Sequence, residues 1–310
     1  GLAVCRALSN RGIRVFAVES NMNLPGFRTR QAHVIQIPEV NGEKVIESLI
    51  AIRGHWAATQ KPVLYLTNDN MVRIVGENWN KLQHIYQLSW AQSQKIIVQL
   101  LDKSRCEHYL RSRGYPLPAT WLIDNKTVET QLGSIEFPVI VKPSRPLGEF
   151  KALKLDTKGD LTALIEKYPG TPLIVQEWIP GGDDKIFFCA TVARHGEPIC
   201  FFDGVKYLSH PPARGQTVVA GPSKRRELRE LVTRLTRETR MSGPMSIEAK
   251  LDTSGSFKII EPTVGRTDFW AKLAIVNGVD LPYCEYLSVV APTQAYKENV
   301  PRIPRIWFDT

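Results

Sequence analysis

Only five of the 310 residues are cysteine: Cys5, Cys106, Cys189, Cys200 and Cys284. They lie far apart, and none belongs to a CxxC or Cys/His pattern. That spread argues against a disulfide framework and a structural zinc site, and leads us to expect a reducing, cytoplasmic setting. No apolar run reaches membrane-spanning length, and no signal-peptide pattern opens the sequence. Internal repeats, low-complexity tracts and a GxGxxG dinucleotide fingerprint are also missing. So is any Ser/His/Asp or Cys/His grouping of the kind that builds a protein nucleophile.

What is present is an ordinary globular composition, 43% hydrophobic and 23% charged, long enough for two or three domains. The formal net charge of +9 suits nucleic acid, a membrane surface or an anionic small substrate such as a nucleotide. The densest basic run, Lys224-Arg225-Arg226, continues through Arg229, Arg234, Arg237 and Arg240 on one helical pattern. A solvated helix face explains it more simply than a polyanion site, so nucleic acid is not the expected partner.

Hydrophobic periodicity alternates helices and strands along the chain. A helix over 2–10 is followed by a strand at 15–18, a helix at 43–52 and a strand at 63–66, the pattern of a parallel sheet with covering helices. The opening helix has no strand before it, so we expect a first strand to be missing. The loops Glu19-Ser20-Asn21 and Thr67-Asn68-Asp69-Asn70 fall where open α/β sheets bind ligands. Asn70 reads as the cap of the helix that follows, while Asp69 is open between cap and ligand. Helices at 93–101 and 103–113, stopped by Gly114, then lead into a compact α+β stretch. It has strands at 120–123, 139–142 and 173–178 and a helix at 161–168. Strands at 185–193, 199–202 and 217–219, a helix at 224–240, a hairpin and a helix from about Phe269 complete the readable chain.

The hairpin, at 246–252 and 257–263 around Thr253-Ser254-Gly255-Ser256, carries the clearest chemical signal. The expected register pairs Asp252 with Phe257, Lys250 with Ile259 and Glu248 with Glu261. Glu248, Lys250, Glu261 and Thr263 then share one face, and Ile247, Ala249, Leu251 and Ile260 the other. Two carboxylates about 5 Å apart repel by about 3 kcal/mol at an effective dielectric near 20. A hard cation such as Mg²⁺ turns that repulsion into ligation. The alternative from these residues alone is a solvated hairpin with Glu248 relaxed by Lys250.

Four segments, in order, resemble the ATP-grasp superfamily, on the branch related to carbamoyl-phosphate synthase and carboxylate–amine ligases. They are Leu101-Asp102-Lys103-Ser104 with its helix, Pro138-Val139-Ile140-Val141-Lys142-Pro143, Val175-Gln176-Glu177-Trp178-Ile179-Pro180-Gly181, and the hairpin through Glu261-Pro262-Thr263-Val264-Gly265-Arg266. The resemblance implies a mixed α/β and α+β, ATP-grasp fold. Its parts would be a Rossmann-like pre-ATP-grasp domain over 1–95, a small α+β subdomain over 96–180 and a large subdomain over 181–310 bearing the metal-binding hairpin.

The resemblance also implies an ATP-dependent carbon–nitrogen ligase using ATP and Mg²⁺ (or Mn²⁺), with a small-molecule carboxylate and an amine as substrates. Lys103 and Lys142 match cationic phosphate contacts, which stabilise charge on the transferred phosphoryl group. Gln176, Glu177, Trp178 and Ile179 match the hinge that reads adenine through the backbone of Glu177 and Ile179. Asp184, with Asp183 as the alternative, matches the ribose contact. Glu248, Glu261 and Thr263 match metal ligands, and Arg266 matches an arginine on the transferred phosphate. Thr263 departs from the family's usual asparagine. The loop from Ser144 to Gly148 has one glycine where relatives have several, and Arg145 or Lys151 is the candidate substitute. A non-catalytic ATP-binding module is the alternative function.

Overall fold

In a computed structural model, residues 1–56, 60–123, 127–144, 152–212 and 215–309 are described. Arg145, Lys151 and the tip of the loop after His210 lie outside them. The chain opens with α1 (Leu2–Ser9), β1 (Phe16–Glu19), β2 (His33–Gln36), α2 (Lys44–Gly54), α3 (Asp69–Glu77), α4 (Trp79–Leu82), α5 (Gln94–Leu101) and α6 (Lys103–Ser112). Here β1 and β2 pair in parallel. The strand expected at 63–66 is reduced to one bridge, Val63 to Gln87. Asn68, not Asn70, caps α3: its side chain accepts the Met71 N–H at 2.9 Å. Asp69 is thereby the first helical residue, its carboxylate at the favourable positive end.

The middle of the chain adds β3 (Thr120–Ile123), α7 (Val128–Gln131), β4 (Val139–Pro143), β5 (Leu153–Leu155), α8 (Lys158–Lys167) and β6 (Leu173–Glu177). They form an antiparallel sheet in the order β3-β6-β4-β5. A capping box, Thr157 with Asp160, starts α8. Leu161 and Leu164 from that helix pack with Val139, Val141 and Val175 in a core of their own.

The last part comprises β7 (Ile186–Arg194), β8 (Glu197–His210), β9 (Gln216–Pro222), α9 (Arg226–Thr239), β10 (Gly243–Leu251), β11 (Phe257–Val264), α10 (Ala271–Val276), α11 (Leu281–Val290) and β12 (Trp307–Phe308). Its six-stranded sheet runs β11-β10-β7-β8-β9-β12, so the tail that was unreadable in sequence returns to cover the β9 edge. The helix expected from Phe269 begins two residues later, at Ala271. One face of this sheet buries Phe187, Ile247 and Ala249 against α9 and the N-terminal helices. The other buries Phe188 and Phe202 against Trp270 and α10–α11.

The hairpin register differs from expectation at its tip. Leu251 pairs with Phe257, Lys250 with Lys258 and Ala249 with Ile259, but a bulge then restores Glu248 opposite Glu261. The extra residue, Ile260, has no partner, and it reverses the two isoleucines. Ile259 enters the core at 1% exposure, whereas half-buried Ile260 turns toward a cleft.

Candidate functional site

Lys103, Lys142, Glu248 and Glu261 reach this site from separate elements. The Asp102 carboxylate accepts the Arg105 N–H at 2.9 Å and fixes the start of α6, leaving Lys103 as its first residue. A cation at the positive end of a helix is unfavourable. Its compensation is Glu261, whose Oε1 lies 3.3 Å from Lys103 Nζ. Along β4 the side chains alternate, Val139 and Val141 inward, so half-buried Lys142 leaves the small core.

Lys103, Lys142, Gln176, Glu261 and Thr263 line one cleft, open to solvent, together with Asp69, Ile174 and Ile260. Glu248 stands directly opposite Glu261 in the hairpin, outside the cleft lining, and Thr263 stands opposite Ser246. Burial raises the Glu248 pKa, opposed by Lys206 and reinforced by Glu261. Burial works against Glu261 ionising too, but Lys103 and Lys142 outweigh it and hold that pKa low. The Lys142 pKa is lowered by burial, with Glu261 opposing and Lys103 adding to the effect.

At the end of β6, Gln176 is buried and its Nε2 donates to Thr120 Oγ1 at 3.3 Å. The Glu177 N–H donates to the Ala119 carbonyl at 2.9 Å, and its carboxylate accepts the Ala119 N–H at 2.7 Å. Trp178 lies between two lysines, with Lys250 Nζ 4.6 Å and Lys154 Nζ 5.5 Å from its ring centre. Asp183 is buried and accepts both the N–H and the hydroxyl of Ser209, at 2.8 and 2.7 Å. Asp184 is exposed beside Lys185, at 3.6 Å.

Arg266 is held by two carboxylates. Its Nε donates to Asp69 at 2.5 Å and its Nη1 to Asp268 at 3.2 Å. Thr263 donates to the other Asp268 oxygen at 3.4 Å. Gly265, at φ +75°, sets the turn that aims this arginine, and a Cβ there would come within 2.7 Å of Val72.

Two polar residues of this cluster escaped sequence reasoning. Lys206 is a lone cation in a mostly apolar stretch of β8, and its Nζ lies 3.6 Å from Glu248 Oε1. Asp268 follows Arg266 by two residues. A lone cation in a strand that is mostly apolar around it was the available signal for the first; the second had none.

No group of three or more His, Cys, Asp or Glu side chains suited to a metal occurs among the described residues. The facing pair Glu248 and Glu261 nonetheless fits Mg²⁺, which is commonly held by one or two carboxylates with substrate phosphates and water. On α9, by contrast, Arg226, Arg229, Arg234 and Arg237 pair with Glu230, Asp203, Glu238 and Glu197. No helix among the described residues is long and apolar enough to cross a membrane.

No family model matches the sequence, and no curated protein does either. The likeness to known proteins is three-dimensional. The biotin carboxylase domain of 2-oxoglutarate carboxylase from Hydrogenobacter thermophilus, in complex with MgADP, ADP and bicarbonate, superposes with a TM-score of 0.74. The two are 16% identical, over 96% of this chain and 68% of that one. N5-carboxyaminoimidazole ribonucleotide synthetase from Thermotoga maritima gives 0.66 at 16% identity, over 99% and 77%. L-amino acid ligase from Bacillus licheniformis gives 0.67 at 12% identity, over 93% and 71%. The resemblance first carried by four short segments therefore holds for the architecture as a whole, and the chain has the ATP-grasp fold.

Proposed function

We propose that the protein is an ATP-dependent ligase that activates a small carboxylate as an acyl phosphate and joins it to an amine. The observation that carries this reading is the convergence of Lys103 and Lys142 on the facing pair Glu248 and Glu261. Neighbouring proteins of this fold support it: one is an L-amino acid ligase, and another was captured with MgADP and bicarbonate.

In this reading the three expected parts, 1–95, 96–180 and 181–310, close around the nucleotide. Adenine meets the hinge of Gln176, Glu177, Trp178 and Ile179. Because the Glu177 N–H already donates to Ala119, the base is assigned to the Glu177 carbonyl and the Ile179 N–H. The ribose hydroxyls go to Asp184, since Asp183 is committed to Ser209.

Lys103 and Lys142 hold the phosphates, and their fixed charge lowers the barrier to phosphoryl transfer. Glu248 and Glu261, with Thr263 at the edge, would hold Mg²⁺, or Mn²⁺ in its place, which would supply charge neutralisation at the phosphates. A substrate carboxylate oxygen attacks the γ-phosphorus and ADP leaves. Arg266, steadied by Asp69 and Asp268, orients the phosphoryl oxygens. The amine then attacks the acyl carbon and phosphate leaves, so no protein nucleophile is needed.

The test is release of ADP and phosphate against a panel of carboxylates and amino acids, with Glu261→Gln as control. The expected outcome is ADP release that needs a specific substrate pair and falls about 100-fold or more in the variant. Tight ATP binding with no ADP formed on any pair would assign the chain to non-catalytic nucleotide binding.

A further inference from the structure

The small sheet joins the rest of the chain through two segments, 113–119 before β3 and 178–182 after β6. Both are fastened to the β10–β11 hairpin. The Pro116 carbonyl accepts the N–H of Ile259, two residues before Glu261, at 2.7 Å. The Gly181 carbonyl accepts Nζ of Lys250, two residues after Glu248, at 2.8 Å. Where the segments meet the sheet, Ala119 and Glu177 bond to each other.

The second fastening is made by a side chain. β10 pairs with β7 without a break from Gly243 to Lys250, which puts Lys250 on the same face as Glu248. Lys250 is 5% exposed, and its Nζ also lies 4.6 Å from the centre of the Trp178 ring. Its two contacts therefore hold both ends of 178–181. Gly181 stands at φ +105°, a backbone conformation that other residues rarely adopt, so the path of the segment there depends on glycine. Burying an ammonium is costly, and here a carbonyl oxygen and an aromatic face offset part of that cost. Burial lowers the Lys250 pKa, while Asp183, just beyond the segment, draws it upward. An aliphatic side chain could pack on Trp178 as well, but it could not hold the carbonyl.

We propose that Lys250 is a positioning residue that pins segment 178–182 to the acidic hairpin and thereby sets where Lys142 stands relative to Glu248 and Glu261. Lys142 lies on β4, paired with β6, and both glutamates act on its charge. Released at Lys250, the small sheet can pivot on the Pro116 bond, and Lys142 moves with it. The pin is a feature of the fold; its effect on nucleotide rests on the ATP-dependent reading of the site.

The experiment measures amide hydrogen exchange by mass spectrometry, without nucleotide, in wild-type protein, Lys250→Met and Lys250→Arg. It then measures ATP and AMP, with Mg²⁺, each displacing a fluorescent adenine nucleotide from the same proteins. In Lys250→Met, exchange should rise about tenfold or more in peptides covering 178–185, as befits a lost charge-assisted hydrogen bond. Peptides from Val139–Pro143 and Phe257–Val264 should be unchanged. ATP affinity should fall about tenfold and AMP affinity clearly less, with Lys250→Arg near wild type in both readouts. Unchanged exchange at 178–185 in folded Lys250→Met overturns the pin. Faster exchange throughout the chain, or a variant that does not fold, overturns it too, because the lysine then serves overall stability. A local rise with ATP affinity unchanged, or with equal losses for ATP and AMP, overturns the role in placing Lys142. Wild-type protein that binds no ATP sinks the functional reading, while the exchange result still decides the pin.

Discussion

Glu248 and Glu261 face one another, yet their surroundings push their pKa values in opposite directions. Burial dominates at Glu248, while Lys103 and Lys142 dominate at Glu261. Another carboxyl, remote from this chemistry, gives a cleaner test of the same physics. Glu285 on α11 is 3% exposed and accepts the Ser89 hydroxyl at 2.7 Å. Burial pushes its pKa up to about 8, with the Ser89 bond pulling the other way. The folded chain therefore keeps a proton that the unfolded chain releases between the ordinary carboxylate range and about pH 8. Stability attributable to this residue is full below that range, falls as pH rises through it, and levels off above about 8. Glu285→Gln keeps an acceptor for Ser89 and removes the titration. Its melting temperature should decline less between about pH 5 and 8 than that of the wild type. Parallel melting profiles would show that Glu285 ionises normally in the folded protein.

Among the elements, the hairpin separates what periodicity reveals from what it conceals. Alternation placed Glu248 and Glu261 on one face, but the turn register that paired them is one residue off at the tip, and the pair stands opposite because the bulge makes up the difference. Alternation was not enough to put Ile259 in the core, because a one-residue bulge has no signature among such residues. The caps behaved similarly: Asn68, Asp69 and Asn70 all suit a helix start, and only the backbone chooses among them. The face bearing Glu248 depends on a glycine that sequence alone would not single out. A Cβ on Gly204 would lie 2.1 Å from the Phe188 ring, which stacks on Trp270 with centroids 4.4 Å apart. Gly204→Ala should displace that ring and cost about 1–3 kcal/mol in denaturant unfolding, with the midpoint lowered and the slope unchanged. An unaltered midpoint would mean that the aromatic stack has slack to absorb a methyl group.

For the whole molecule, the strands that were legible are those with a full apolar face, such as Val139–Pro143 and Leu173–Glu177. The two-residue β12 and the three-residue β5 were not legible, because segments so short acquire their structure from the sheet edge they join. Nor does local pattern report that the N-terminal helices and the large sheet share one core, with Trp90 Nε1 donating to the Gly265 carbonyl at 2.9 Å. That shared core sets the end of β11, and with it Arg266, against Asp69. The proposed site is therefore a property of the assembled parts: one lysine from the small sheet, another from a helix packed in the large core, and acids from the large sheet's hairpin. Mn²⁺ binding followed by electron paramagnetic resonance tests this most directly, in wild-type protein and Glu248→Gln, with and without ATP. ATP chelates Mn²⁺ by itself, so the readout is the further change in the Mn²⁺ spectrum when protein joins Mn²⁺ and ATP. The account predicts that change for the wild type, and binding at least about tenfold weaker in the variant, which has lost a charged ligand. Equal Mn²⁺ binding by the variant, with ATP bound normally, would contradict it.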